Sequence, residues 1–147
     1  MSEKLAYAAG IMDGEGTIVI VVRNRGKYNW YQDSISVHMG TGEVVDYLYN
    51  NFGGNRYVRK EVGKTTYIWQ MWCKQAREFL KKVMPYLITK KRQAEVFLEM
   101  GEIKEASKRF QKDPEYIQNK KLELYYELRN LHQRSYLYRQ KLTVATG

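Results

Sequence analysis

The chain has 147 residues, a formal net charge of +9 and a single cysteine, Cys73. This length predicts one domain over residues 1–147, and one thiol excludes an intrachain disulfide and a cysteine-based zinc site. No apolar run approaches the roughly 20 residues of a membrane span and no signal-peptide pattern is present. We therefore expect a soluble intracellular protein without a membrane partner, in the cytoplasm of a prokaryote or in an organelle. The positive charge indicates a polyanionic partner.

The first predicted element is a helix over residues 3–12, which should be buried because small or apolar residues surround it on nearly every side. Gly14 and Gly16 are expected to end this helix. Residues 17–25 and 30–38 are rich in β-branched and alternating residues, so they predict two strands joined as a hairpin.

The remaining segments predict a helix, a second hairpin and three further helices. Their bounds are residues 41–51, 55–62, 65–73, 74–83, 89–109 and about 114–138. Thr41 is the expected N-cap of the first of these helices, and Pro114 suits the first position of the last. The order α-β-β-α-β-β-α, with C-terminal helices added, predicts an α+β fold. In it, helices cover one face of a four-stranded antiparallel sheet.

The uncovered face of this predicted sheet gathers basic, amide and aromatic side chains. Arginine can pair with guanine, glutamine with adenine and glutamate with cytosine, and a twisted β-ribbon fits the major groove of DNA. An ordinary solvated sheet face is the alternative interpretation. The predicted DNA-contacting residues on these strands are Thr17, Val19, Val21, Arg23, Arg25, Trp30, Gln32, Ser34, Tyr57, Arg59, Glu61, Thr66, Ile68 and Gln70.

The N-terminal helix combines small residues with two carboxylates, Asp13 and Glu15. An acidic side chain at the C-terminal end of a helix lies where the backbone dipole is already negative, so a cation is expected beside it. Mg²⁺ or Ca²⁺ suits such oxygen ligands. Ala6, Ala9, Gly10 and Asp13 are spaced i, i+3, i+4 and i+7, which places them on one face that another helix could approach closely.

Residues 8–16, A-A-G-I-M-D-G-E-G, resemble the motif of the LAGLIDADG homing endonucleases. Residues 85–94, P-Y-L-I-T-K-K-R-Q-A, resemble the P-x-L-x-x-K-x-x-Q-A segment of that family, and residues 54–59 resemble the start of its third strand. The resemblance covers a core over about residues 3–110 and leaves a helical extension over about 114–140. It implies a homodimeric endonuclease, because the chain has one motif copy. Such an enzyme cuts both strands of a long, roughly palindromic DNA duplex and leaves short 3′ overhangs.

The same resemblance implies roles for individual residues. Glu15 and the backbone carbonyl of Gly14 would bind Mg²⁺, for which Mn²⁺ or Ca²⁺ could substitute in binding. Asp13 would be structural and would form the dimer interface with the small residues of its helix. Lys90 would be the catalytic lysine that stabilises the transition state, and Lys91 would replace it if the register is shifted by one residue.

Other positions carry less specific predictions. The family has a water-positioning polar residue near the end of its second strand; here Val37 is apolar, so Ser36 and His38 are the candidates. Lys91 and Arg92 are expected to contact DNA. Basic residues of the last segment are either phosphate contacts or a solvated helix face; they are Lys120, Lys121, Arg129, Arg134 and Arg139. Two alternative functions stay open: an RNA maturase that binds intron RNA and assists splicing, and a DNA-binding relative without nuclease activity.

Overall fold

The computed structural model describes residues 2–26 and 28–146, without the side chains of Arg25 and of residues 134–146. The helices are α1 (Ser2–Glu15), α2 (Glu43–Phe52), α3 (Cys73–Val83), α4 (Lys91–Ser107) and α5 (Glu115–Thr146). The strands are β1 (Gly16–Arg25), β2 (Tyr28–Met39), β3 (Asn55–Glu61) and β4 (Lys64–Trp72). A 3₁₀ turn over Met84–Tyr86 follows α3. No helix in these ranges combines the length and the apolarity needed to cross a membrane.

The four strands form one antiparallel sheet in the order β1-β2-β4-β3. The two hairpins, β1–β2 and β3–β4, are joined by the antiparallel pairing of β2 with β4. The predicted α+β fold with a four-stranded antiparallel sheet is thereby confirmed, as is the order of its elements.

The core lies between the helices and one face of the sheet. Met12, Leu48, Leu80, Phe97 and Leu124, one from each helix, are fully buried and belong to a single apolar cluster. Burying a side chain of this size contributes about 1.5–3 kcal/mol. The sheet residues of the cluster all point to the same side, so the opposite face of the sheet contributes nothing to this core.

The passage from α1 to β1 is more abrupt than the sequence predicts. The expectation that the helix ends near Met12 is wrong, because α1 continues through Gly14 to Glu15 and β1 begins at Gly16. A glycine inside a helix costs only about 1 kcal/mol relative to alanine, and tertiary contacts override it here. A Cβ on Gly16 would come within 2.8 Å of the Met12 Cα, so this immediate change of direction requires glycine.

Two helices, α2 and α4, begin two residues later than predicted. The N-cap of α2 is Gly42 and not Thr41, and it makes no side-chain cap hydrogen bond. Helix α4 begins at Lys91, two residues later than predicted, with Lys90 as its N-cap. The backbone N–H groups of the residues just before α4 bind the side chain of Asp13 instead.

A buried charge network that the sequence analysis did not predict ties β2 to α3 and α4. Asp33 is fully buried, and its two carboxylate oxygens accept hydrogen bonds from Arg77 at 2.9 Å and from Lys104 at 2.6 Å. A Cβ at Gly101 of α4 would collide with the side chain of Arg77. This glycine therefore leaves the space through which the arginine reaches Asp33.

Candidate nucleic-acid interface and metal centre

The predicted DNA-contacting residues of the four strands lie on the face of the sheet that points away from the core. Residues paired directly across antiparallel strands point to the same side. The pairs on this side are Arg23 and Trp30, Val21 and Gln32, Val19 and Ser34, Thr17 and Ser36, Ser36 and Gln70, His38 and Ile68, Ile68 and Tyr57, and Thr66 and Arg59. We call this surface, completed by Glu61, the open sheet face.

The open sheet face has accessible rings at its edges and a covered centre. Trp30 and Tyr57 are each 45% exposed, whereas Ile68 is fully buried and Thr66 nearly so. Ile68 lies on a central strand, where Tyr57 and His38 are its cross-strand neighbours on the two sides. Ile68 and Thr66 therefore form the floor of this face and do not offer the contact surface predicted for them. The side chain of Arg25 lies outside the described residues.

Charged groups on the open sheet face are arranged in close pairs. The Arg59 Nε lies 3.2 Å from a carboxylate oxygen of Glu61, which orients the guanidinium on this face. Partial burial lowers the pKa of His38 below its ordinary value, and the positive charge of Arg59 lowers it further. The neutral form of His38 is therefore favoured at neutral pH.

The carboxylate of Asp13 is directed towards the start of α4. It accepts three backbone hydrogen bonds, at 2.8 Å from Ile88, 3.1 Å from Thr89 and 3.0 Å from Lys90. Backbone N–H groups at the start of a helix have no partner within the helix, and a carboxylate is a strong acceptor for them. This geometry is that of a capping residue and leaves both Asp13 oxygens engaged.

The side chain of Lys90 is turned inward, towards the end of α1. It is buried, and its Nζ donates to the backbone carbonyls of Met12 at 2.9 Å and Gly16 at 2.5 Å. The last carbonyls of a helix receive no hydrogen bond from within the helix, and the helix dipole favours a cation beside them. The lysine predicted to be catalytic thus fixes the backbone on both sides of Glu15.

The exposed side of α1 is lined by its smallest residues. Ala6, Gly10 and Gly14 are exposed at i, i+4 and i+8, and a Cβ added at either glycine would meet no atom within 4 Å. Ala9, which was predicted to lie on this side, is fully buried in the core of its own chain. The exposed stripe is therefore Ala6, Gly10 and Gly14, bordered by Tyr7.

The comparisons with known proteins address the fold. No protein-family model and no curated protein matches the sequence. The homing endonuclease I-CvuI, in complex with the I-CreI target in 2 mM Mg with the DNA not cleaved, matches with a TM-score of 0.72 and 22% identity over 88% of this chain and 82% of that one. The archaeal intron-encoded homing endonuclease I-Vdi141I, complexed with DNA, matches with a TM-score of 0.73 and 19% identity over 88% and 84%. I-TnaI, another homing endonuclease, matches with a TM-score of 0.63 and 20% identity over 88% of this chain and 93% of that one.

The chain has the fold of the LAGLIDADG homing endonucleases. The resemblance inferred from the motifs is therefore confirmed at the level of the fold. Within this LAGLIDADG fold, the motif of residues 8–16 occupies the second half of α1 and the first residue of β1. Motif and sheet thus meet at Glu15, which is exposed.

Few groups of this chain could bind a metal at the end of α1. The exposed Glu15 carboxylate and the exposed peptide of Gly14 lie at the end of α1. No group of three or more His, Cys, Asp or Glu side chains that could hold a metal occurs among the described residues. Mg²⁺ takes about six oxygen ligands and commonly keeps several waters beside one or two carboxylates and phosphates. The residues present fit a site completed by ligands from outside the chain.

Several predicted phosphate contacts form ion pairs within the chain itself. Arg92 forms ion pairs with Glu95, Glu99 and Glu127 and so ties α4 to α5. Because its guanidinium is shared among three carboxylates, Arg92 links α4 to α5 in this chain, and its contact with DNA stays a prediction. Lys91 beside it is exposed.

The basic residues of α5 also have specific surroundings. Lys121 lies 2.6 Å from Asp113, and Lys120 lies 3.7 Å from Glu123 on the exposed side of the helix. His132, to which the sequence analysis gave no role, donates a hydrogen bond at 2.7 Å to the backbone carbonyl of Ile18 and so holds α5 against β1. No sequence pattern marks this contact, because its partner is a main-chain atom. Arg129 is exposed, and the side chains of Arg134 and Arg139 lie outside the described residues.

Proposed function

We propose that this protein is a site-specific endonuclease that cuts double-stranded DNA as a homodimer with the help of a divalent metal ion. The observation that carries the proposal is the position of Glu15, an exposed carboxylate at the point where α1 passes into the first strand of the open sheet face. A duplex lying on that face would bring its phosphates to this carboxylate. The DNA-bound state of I-CvuI and I-Vdi141I, which share the fold, supports a duplex as the partner.

The dimer would form through the exposed stripe of α1. Small residues at Ala6, Gly10 and Gly14 allow two helices to approach closely, and a two-fold axis would place the same patch of each subunit against the other. That arrangement brings two Glu15 carboxylates towards the axis. It also gives the complex two equivalent open sheet faces, which suits a roughly palindromic target.

The metal centre would use Glu15 and the Gly14 carbonyl from each chain, with DNA phosphates and water as the other ligands. When bound there, a divalent ion would supply a Lewis acid that could activate water and stabilise the leaving oxygen of the phosphodiester. Lys90 holds the Met12 and Gly16 carbonyls and so fixes the direction of Glu15, and its ammonium adds positive charge beside the site. Ser36, paired with Thr17 just beyond Glu15, and the neutral His38 are the polar groups of β2 that would orient water.

Sequence recognition would come from the accessible side chains of the open sheet face. Arg23 and Arg59 suit guanine, Gln32 and Gln70 suit adenine, and Glu61 suits cytosine. Exposed basic residues elsewhere would bind phosphates without reading sequence. The protein would therefore combine the two kinds of contact that a long, specific target needs.

A cleavage assay on the host sequence tests the proposal. The substrate is a plasmid that carries the uninterrupted DNA into which the reading frame is inserted, incubated with Mg²⁺. We expect a double-strand cut at that point with short 3′ overhangs, read by sequencing the ends. Glu15→Gln should abolish the cut and retain DNA binding, because the amide keeps the shape and loses the charge. Glu3→Gln, the matched change at the other end of α1, should cut normally.

Three results would contradict the proposal. Normal cleavage by Glu15→Gln would remove the metal role of that residue. Binding of the target without any cleavage would identify a DNA-binding protein that lacks nuclease activity. Absence of cleavage together with enhanced splicing of the intron RNA would identify a maturase.

A further inference from the structure

A cavity of about 580 Å³ lies away from the proposed metal centre, between the start of β2, the start of α3, the end of α4 and the first turns of α5. Its volume is in the range of ordinary small-ligand sites, about 300–1,000 Å³. No residue of the LAGLIDADG motif lines it. Nothing in the proposed nuclease function uses this space.

The cavity carries an excess of positive charge. Five cationic side chains line it, and they are Arg77, Lys104, Lys108, Lys112 and Lys121. The carboxylates that face them are Glu105 and Asp113 in the lining and Asp33 buried behind it, so two positive charges are left over. Among the described residues, Lys112 makes no ion pair with a carboxylate. An anion would therefore find uncompensated charge here.

The floor of the cavity is formed by buried side chains that are held by ion pairs. Arg77 is 8% exposed and Ser107 is 5% exposed, and both line the cavity. Asp33 and Glu105 hold the Arg77 guanidinium at 2.9 and 3.3 Å. Hydrogen bonding from Lys108 lowers the pKa of Glu105, so this carboxylate stays ionised and the network keeps its geometry at neutral pH. This buried network forms the base of the cavity, whereas Lys112 in its lining is exposed and accessible to a ligand.

The mouth of the cavity is aromatic. Tyr28 and Trp30 line it and are 43% and 45% exposed, and the Lys112 ammonium lies 5.2 Å from the centre of the Tyr28 ring. Exposed rings beside cations are the combination on which bases stack while their phosphates bind. The amide side chains of Asn29 and Asn119 are also in the lining and can bond to base edges.

We propose that this cavity binds a single nucleotide, with the phosphate on the lysines led by Lys112 and the base against Trp30 and Tyr28. The nucleotide is either free in solution or the terminal residue of a bound DNA strand, because Trp30 belongs both to the cavity and to the open sheet face. Binding of a free nucleotide requires no nuclease activity. A protein that cuts DNA without binding a free nucleotide, or that binds a nucleotide without cutting DNA, would therefore separate this proposal from the proposed function.

Calorimetric titration of the full chain with AMP, adenosine and inorganic phosphate tests the proposal. We expect AMP to bind at least about tenfold more tightly than either fragment, because it uses both parts of the cavity. Lys112→Glu should lower the affinity for AMP by about tenfold or more, because one charge-assisted contact is lost. Lys120→Glu, an identical charge change on α5 outside the cavity, should leave AMP affinity within about twofold. Asn119→Trp, which fills part of the cavity, should also lower the affinity for AMP.

Equal losses from Lys112→Glu and Lys120→Glu would overturn the proposal, since net charge alone would then explain binding. Phosphate that binds as tightly as AMP would exclude a base site. If AMP gives no heat at two temperatures and no bound AMP is found by equilibrium dialysis, the site is excluded altogether. Competition identifies the source of the nucleotide. Displacement of AMP by a duplex with a one-nucleotide overhang, and not by the blunt duplex, assigns the cavity to a DNA end. Displacement by neither duplex assigns it to free nucleotide.

Discussion

Asp13 binds the N-terminal end of α4, where Lys90 lies, and Lys90 binds the C-terminal end of α1, where Asp13 lies. The Asp13 carboxylate, near the end of α1, accepts the backbone N–H groups that precede α4, while the Lys90 ammonium, at the N-cap of α4, donates to two carbonyls around the end of α1. The two contacts satisfy opposite ends of two helix dipoles. Glu15 lies between the carbonyls that Lys90 holds, so this reciprocal contact fixes the proposed metal ligand.

Replacing Lys90 with methionine should destabilise the fold as well as impair cleavage. The change leaves two carbonyls in a buried place without their donor, which costs about 1–3 kcal/mol of unfolding free energy. Urea unfolding followed by circular dichroism measures it. Lys91→Met, the same change at an exposed neighbouring position, should stay within about 0.5 kcal/mol of the parent. Unchanged stability in Lys90→Met with lost cleavage would mean that the lysine acts on DNA and not on α1.

Replacing Gly10 with leucine should convert the proposed dimer into monomers. The added side chain meets open space within its own chain, so the fold should be retained while the approach of a second α1 is blocked. Sedimentation velocity measures the change, and the DNA cleavage rate should fall with it. Gly40→Leu, at another glycine with open space around it, should keep the parent assembly. A fully active dimer of Gly10→Leu would remove α1 from the interface.

The sequence was sufficient for the fold and for the position of Glu15, because both depend on local signals. The alternation of apolar and polar residues along each strand predicts which side chains share a sheet face, and the motif predicts a carboxylate at the end of a helix. Ala9 shows the limit of such reasoning. Helical spacing groups Ala9 with Gly10 and Asp13, but it does not tell which residues of the group pack against their own chain.

The contacts that the sequence could not predict join distant segments or involve main-chain atoms. The bonds between Asp13 and the backbone before α4 span more than 70 residues, and the pairing of Asp33 with Arg77 spans 44. Arg92 is another example, because the local sequence does not show which carboxylates of α5 lie near it. Only the docking of α5 reveals that Glu127 shares its guanidinium.

Replacing Arg59 with alanine should relax base selection at one position in each half of the target. A guanidinium paired to a base contributes about 1–3 kcal/mol of discrimination at that position. Cleavage or binding of duplexes with single-base changes measures it. Arg56→Ala is the matched control, because Arg56 lies on the opposite side of β3, bound to Asp46. An equal loss of affinity for all sequences in Arg59→Ala would mean that Arg59 contacts phosphate.

His38 should make the protein less stable in mild acid. Burial, and secondly Arg59, lowers its pKa below the ordinary value of 6.5, which the unfolded chain retains. Well above pH 6.5, His38 is neutral in both the folded and the unfolded chain, and the full free energy of unfolding is present. As the pH falls further, the unfolded chain binds the proton first, so stability is lost progressively as the pH falls through the folded pKa.

Nuclear magnetic resonance of the two imidazoles tests this directly, with His132→Gln to assign the signals. The pKa of His38 should lie below 6.5 and rise in Arg59→Ala, yet stay below 6.5 because the larger cause, burial, is unchanged. In urea unfolding between about pH 7.5 and pH 5, His38→Gln should lose less stability than the parent. A His38 pKa at or above 6.5 would show that the imidazole is solvated and not shielded by its neighbours on the open sheet face.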